Sequence, residues 1–139
     1  MTVLTVPRLG VERADKQYRM RSLADSGASL ALGSDWPVSS GAPLDGIAVA
    51  VSRQTAEGDP AGGWTPEEIL TIERSLGAYT AGVAKQAFAE GLWGRLARGA
   101  SADLVWLDRD PRETPALELP GLRIRGTYLR GELGAPFTK

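Results

Sequence analysis

The sequence contains no histidine and no cysteine among its 139 residues. Without cysteine the chain has no disulfide framework, which fits a reducing compartment. Catalytic zinc sites are built mostly from histidine and cysteine ligands, so a conventional zinc site within this chain is excluded. Nucleophilic systems of the Ser-His-Asp or Cys-His kind are excluded for the same reason.

Charge of one sign is also lacking, because 16 basic residues balance 17 acidic ones and the net charge is -1. No block of lysine and arginine points to nucleic acid or to a membrane surface, so we expect neither as a partner. No apolar run reaches the roughly 20 residues that a membrane-spanning helix needs. The first residues lack the pattern of a secretory signal, and we therefore expect a cytoplasmic location.

Residues 1–93 have the pattern of an α/β structure. A partly apolar spacing followed by Gly27 predicts a helix over residues 12–26, and "ASLALG" predicts a buried parallel strand over residues 28–33. Further helices are predicted over residues 44–54, 66–79 and 80–90. The second of these begins directly after Thr65, which together with Glu68 has the spacing of a capping box.

Residues 94–139 have a β pattern instead. The run Leu104 to Leu107 predicts a strand behind a glycine turn, and "LRIRGTYLRGEL" alternates apolar and polar residues. Arg130 and Gly131 lie where the second strand would turn back as a hairpin. We therefore predict two domains, residues 1–93 and residues 94–139.

Asp35 lies in "LALGSDWP", directly after the predicted buried strand. The C-terminal ends of parallel strands carry the active-site loops of α/β enzymes, so a catalytic role is one interpretation. The other is an ordinary N-cap at the start of a short helical turn, which spacing alone favours. Nearby, Trp36 is either a pocket residue or a packed aromatic, and Arg53 either faces a substrate or is a charge at a helix end. Asp103 and Asp108 are interpreted as turn residues.

Three segments, in order, resemble the C-terminal part of the amidohydrolase superfamily, and more narrowly its amidohydrolase-3 type. They are "ALGSDWPVSSGAPLDGIAVAVSRQ", "GWTPEEILTIERSLGAYTAGVAKQAF" and "GRLARGASADLVWLDRDP". The resemblance implies the last strand and helices of a (β/α)8 TIM-type barrel in residues 1–93. It implies strands of a composite β-sandwich in residues 94–139. It also implies a small-molecule substrate, a divalent metal (zinc above all), and Asp35 as both a catalytic residue and a metal ligand.

The chain departs from that family in lacking every histidine ligand, and we expect it to bind no metal and to be inactive alone. The first hypothesis is therefore a C-terminal segment of a hydrolase of non-peptide carbon-nitrogen bonds. Such a segment would be completed by a complementary N-terminal segment or by a homo-oligomer. The alternative is a non-enzymatic packing or interaction module that pairs with another chain or with itself.

Overall fold

The computed structural model describes residues 5–134. Its α-helices are all short: α1 (Val6–Leu9), α2 (Val11–Ala14), α3 (Met20–Asp25), α4 (Pro43–Ser52), α5 (Ile72–Tyr79) and α6 (Ala81–Gln86). Single 3-10 turns span Pro66–Glu68 and Pro111–Glu113, and a longer 3-10 helix spans Ala116–Gly121. The strands are β1 (Leu104–Leu107), β2 (Ile124–Leu129) and β3 (Glu132–Leu133). No helix in this part of the chain is long and apolar enough to cross a membrane.

The strands form one antiparallel sheet in the order β1-β2-β3, and β1 has the bounds that the sequence pattern predicts. β1 pairs with β2 from Leu104 opposite Tyr128 to Leu107 opposite Ile124. Between β2 and β3, Arg130 and Gly131 both have positive φ, 54° and 82°. Two consecutive residues of positive φ are typical of the turn that suits a two-residue hairpin, so the hairpin prediction is confirmed.

The core lies between helix α4 and the 3-10 helix Ala116–Gly121. Ile47 and Ala48 on α4 pack against Leu119 and Leu122, and all four are buried. Partly buried side chains surround them: Leu44, Val51, Ile72, Leu76, Tyr79 and Leu107. Residues from both predicted domains thus share one apolar cluster. The division at residue 93 stays a prediction.

The predicted helix over 44–54 is confirmed with shifted ends, since α4 begins at Pro43 and ends before Arg53. The other helices are shorter than predicted. The helix over 12–26 is wrong as one element, because the chain breaks between α2 and α3, where Tyr18 has a φ of 53°. Residue conformations of positive φ cannot continue a right-handed helix.

Thr65 does not cap a helix, which corrects the capping-box prediction. Its φ is 47°, and it makes no capping hydrogen bond to the short turn that follows. Helix α5 instead begins after Thr71, whose side chain accepts a hydrogen bond from the backbone N–H of Arg74 at 3.2 Å. The helix therefore starts at Ile72, six residues later than the sequence pattern indicates.

The strand predicted over residues 28–33 is wrong for this chain, because none of these residues has strand structure. A strand requires a neighbour that satisfies its N–H and C=O groups, and none of the described residues supplies a ladder here. The molecule is a small α/β structure whose sheet lies in the C-terminal half. The barrel and the composite sandwich stay predictions.

Candidate functional site

Asp35 lies on an exposed turn that leads from residues 28–34 toward α4. Its φ is 54°, and its carbonyl oxygen accepts a hydrogen bond from the N–H of Val38 at 2.8 Å. No helix begins directly after it, since α4 starts at Pro43 with Ala42 in the capping position. Asp35 is therefore a turn residue and not a helix cap. Within residues 5–134 its carboxylate has no hydrogen-bond or ion-pair partner.

Helices α5 and α6 position the segment that carries Asp35. The N–H of Leu32 donates to the carbonyl oxygen of Ala78 in α5 at 3.1 Å. The ammonium of Lys85 in α6 donates to the hydroxyl of Ser29 at 2.6 Å. At Gly82 the backbone of Leu30 approaches so closely that any Cβ would overlap its carbonyl oxygen. These contacts replace the missing strand neighbours as the support of the segment.

Arg53 joins three segments at the end of α4 and does not face open solvent. Its Nε donates to the carbonyl of Trp64 at 2.5 Å, and its two amino groups donate to the Tyr18 carbonyl at 3.1 Å and to the Thr65 hydroxyl at 2.6 Å. The guanidinium also lies 4.9 Å from the ring centroid of Trp64, within range of a cation–π interaction. Of the two interpretations of Arg53, the structure fits that of a charge at a helix end, because the guanidinium is bound by other segments of the chain.

Asp103 and Asp108 act as turn residues, as the sequence indicated. The carboxylate of Asp103 accepts hydrogen bonds from the N–H of Arg130 at 2.7 Å and from the hydroxyl of Ser101 at 2.9 Å. The carboxylate of Asp108 accepts from the N–H of Arg123 at 2.9 Å. Both side chains therefore stabilise the ends of the sheet.

Among the acids of the described residues, Glu68 has the most strongly lowered pKa. The capping-box pattern in the sequence indicates a different partner for it, Thr65. Only 3 % of Glu68 is exposed, and its carboxylate accepts hydrogen bonds from the Ser22 N–H at 2.9 Å, the Ser22 hydroxyl and the Arg19 Nε at 3.3 Å. These donors, the two of Ser22 above all, lower the pKa of Glu68 to about 2. The segment "TPEE" indicates a hydrogen-bonding role for Glu68, but nothing in the sequence indicates that the partner of Glu68 lies in α3.

The residues of this chain do not fit the metal centre that the resemblance implies. Within residues 5–134 no group of three or more His, Cys, Asp or Glu side chains could hold a metal ion. The whole chain has no His and no Cys, and the carboxylates nearest to Asp35 in sequence, Asp25 and Asp45, each lie ten residues away. A catalytic zinc site usually needs three protein ligands, so Asp35 could supply one at most.

Comparison with known proteins places these features in a family. The chain is 43 % identical over 126 residues to "Protein LONG AFTER FAR-RED 3" of Arabidopsis thaliana, covering 90 % of this chain and 21 % of that protein. It is 33 % identical over 118 residues to "N-substituted formamide deformylase" of Arthrobacter pascens, covering 85 % of this chain and 21 % of that enzyme. The chain thus spans about a fifth of the length of these curated relatives.

No solved structure matches the chain at a significant level. The profile of the amidohydrolase family, in contrast, matches residues 1–133, which is nearly the whole sequence. The three segments that carried the resemblance all lie inside that range. The chain therefore belongs to the amidohydrolase family.

Proposed function

We propose that this chain is the C-terminal segment of a cytoplasmic, metal-dependent amidohydrolase that hydrolyses non-peptide carbon-nitrogen bonds of small molecules. One observation carries the proposal: the family profile matches residues 1–133, while the chain covers only 21 % of two full-length relatives. In this proposal residues 1–93 complete a (β/α)8 barrel, and residues 94–139 complete a composite β-sandwich.

Asp35 is the catalytic residue that this segment supplies. Its carboxylate is exposed on a turn and has no partner within the described residues, so it is available to groups from outside the segment. A carboxylate so placed can take a proton from a nucleophilic water and return it to the leaving nitrogen. The same carboxylate is the one metal ligand that the chain contributes.

The remaining ligands come from a complementary N-terminal segment. A homo-oligomer cannot supply them, because every copy lacks His and Cys. Pooled carboxylates from several copies would favour harder, oxygen-binding cations over the zinc that we expect. The structure has no strand over residues 28–33, where the sequence predicts one. A neighbouring strand from the complementary segment would supply the hydrogen-bond partners that a strand at this position requires.

A graft into the deformylase of Arthrobacter pascens tests this function. Residues 1–133 replace the matching part of that enzyme, and hydrolysis of an N-substituted formamide is measured. We expect turnover that falls by about 100-fold or more in Asp35→Asn, in line with the loss of a general acid–base group.

Asp59→Asn is the matched control for that graft, because Asp59 is another exposed aspartate of this chain. It should leave turnover unchanged. A folded graft without turnover, or turnover that is indifferent to Asp35→Asn, would contradict the proposed function.

A non-enzymatic interaction module is the second candidate, and exposed apolar side chains favour it. Phe88 is 94 % exposed, and Leu92 and Leu96 follow it on the surface. Exposed apolar patches are common at association sites. Sedimentation over a concentration series tests this candidate: a stable dimer that Phe88→Ser disrupts supports it, and a monomer at every concentration counts against it.

A further inference from the structure

The guanidinium of Arg53 connects residues whose backbones have positive φ. Tyr18, Arg53 and Thr65 have φ values of 53°, 54° and 47°, in the left-handed region that residues other than glycine seldom adopt. The amino groups of Arg53 donate to the Tyr18 carbonyl at 3.1 Å and to the Thr65 hydroxyl at 2.6 Å. One strained residue thus binds two others that lie far from it in sequence.

Glu68 joins the same two segments of chain a second time. Its carboxylate accepts hydrogen bonds from the N–H of Ser22 at 2.9 Å and from the hydroxyl of that residue. Residues 18–22 and 64–68 are therefore held together by two charged side chains, those of Arg53 and Glu68. Left-handed conformations cost free energy and persist only where surrounding contacts compensate for them, and these hydrogen bonds are such contacts.

The local sequence favours a different structure for both segments. Its pattern predicts one helix over residues 12–26, running through Tyr18, and a capping box in which Thr65 is the N-cap and Glu68 its partner. An N-cap residue has an extended backbone and not a left-handed one. The contacts of Arg53 and Glu68 therefore oppose the local preference of both segments at once.

We propose that Arg53 couples the two segments into a conformational switch with two states. In the state described above, the chain breaks at Tyr18 and Thr65 is left-handed. In the other state the guanidinium has left both residues, the helix runs through Tyr18, and Thr65 has the extended backbone of an N-cap. The start of α5 stays in place, because Leu70 before it is buried and donates its N–H to the Ala50 carbonyl at 3.0 Å.

The switch acts on the segment that carries Asp35 through α3. The N–H of Ala28, where that segment begins, donates to the carbonyl of Leu23 in α3 at 3.1 Å. A helix that continues through Tyr18 brings α3 into line with α2, so it turns α3 and moves the start of the segment. This inference goes beyond the proposed function and does not depend on hydrolysis, since the chain alone tests it.

Two substitutions at Tyr18 test the coupling, because its side chain is 56 % exposed and lies outside the core. Tyr18→Ala favours the helix, whereas Tyr18→Gly favours the break, since alanine is the best helix former and glycine adopts positive φ freely. In NMR spectra of Tyr18→Ala, the Cα signals of residues 15–19 should shift toward helical values, and those of residues 64–68 should shift with them. Tyr18→Gly should leave both segments unchanged and raise the melting temperature.

Removal of the guanidinium in Arg53→Met should shift the signals of both segments as Tyr18→Ala does. In Arg53→Met/Tyr18→Gly the break at residue 18 should return, while Thr65 keeps the extended backbone, because nothing couples the two any longer. Arg74→Met is the matched control, since the guanidinium of Arg74 binds the carboxylate of Asp25 at 2.5 Å in α3. It should leave both segments as they are.

A response of residues 15–19 to Tyr18→Ala that leaves residues 64–68 unchanged would overturn the inference, and so would the absence of any response. If Arg53→Met does not fold, the two Tyr18 variants, which retain Arg53, decide the question by themselves. The graft that tests the proposed function is a separate measurement, so failure of the switch and failure of that function are told apart.

Discussion

The carboxylate of Glu68 accepts a hydrogen bond from the backbone N–H of Ser22 at 2.9 Å, across 46 residues of chain. Ser22 lies in the first turn of α3, where N–H groups have no partner within the helix. Arg19, which precedes this helix, makes no capping hydrogen bond with its own side chain to those groups. Glu68, although distant in sequence, therefore caps the N-terminus of α3. The same hydrogen bond joins α3 to the 3-10 turn Pro66–Glu68, which precedes α5.

Replacement of Glu68 by glutamine should destabilise the fold by about 1–3 kcal/mol, because a buried acceptor of three hydrogen bonds loses its charge and part of its geometry. Urea unfolding followed by circular dichroism measures this change. Glu67→Gln is the matched control, since the neighbouring Glu67 is exposed and should change the free energy of unfolding by less than about 0.5 kcal/mol. Equal effects of the two substitutions would contradict the role of Glu68.

Acid should weaken the same contact within a defined window. The pKa of Glu68 is lowered from its ordinary 4.5 to about 2 by the two donors of Ser22, with a smaller contribution from Arg19. Between these two values the unfolded chain binds more protons than the folded one. The stability that Glu68 contributes is therefore complete above about pH 4.5 and is lost as the pH falls toward 2.

Urea midpoints between pH 6 and pH 3 for the unsubstituted chain and Glu68→Gln check this expectation. The difference between the two proteins should shrink as the pH falls. A constant difference over the whole range would show that the carboxylate charge contributes nothing.

Gly46 in α4 should not tolerate alanine, although alanine ordinarily stabilises a helix interior by about 0.5–1 kcal/mol. A Cβ at this position would overlap the hydroxyl oxygen of Tyr79. We expect Gly46→Ala to cost about 1–3 kcal/mol in the free energy of unfolding, as for other overpacked sites. The double variant Gly46→Ala/Tyr79→Phe should recover part of that loss, because it removes the overlapping atom.

Gly77→Ala in α5 is the matched control, since no atom lies within 4 Å of its added Cβ. It should make the protein slightly more stable in the same thermal or urea unfolding experiments. If both glycine substitutions stabilise the chain, the Tyr79 hydroxyl does not contact Gly46 in solution, and α4 and α5 lie farther apart than this contact requires.

The purified chain should hold no stoichiometric zinc, because Asp35 has no companion ligands and the chain has neither His nor Cys. Elemental analysis of the protein after size-exclusion chromatography measures this directly. Addition of zinc should leave the melting temperature unchanged, since an ion that does not bind the folded state cannot stabilise it. About one zinc per chain would mean that several chains pool their carboxylates, and our account of the site would be wrong.

Elements that are stabilised by residues close together in sequence could be predicted from the sequence. The helix α4 has proline at its start and a regular apolar face, and the hairpin after β2 has Arg130 and Gly131 at its turn. Both were found where the pattern indicated. The position of Asp35 in a loop could also be predicted, because an apolar run ends directly before it.

Features that depend on distant partners could not be predicted in the same way. The capping box assigned Glu68 to Thr65, but the carboxylate binds α3 instead. The apolar pattern of residues 28–33 indicates burial, but it does not say whether a neighbouring strand exists. The break at Tyr18 is equally non-local, since the carbonyl of that residue is bound by Arg53.

The hydrogen bond from Leu32 to Ala78 has a consequence for the exchange of amide protons with solvent. Of the backbone N–H groups of residues 29–35, the one of Leu32 has an acceptor in the described part of the chain. Its neighbours are open to water and should exchange within the dead time of an ordinary deuterium experiment, while the amide of Leu32 exchanges only when the segment leaves α5. This single slow proton thus reports how often the segment that carries Asp35 detaches from the fold.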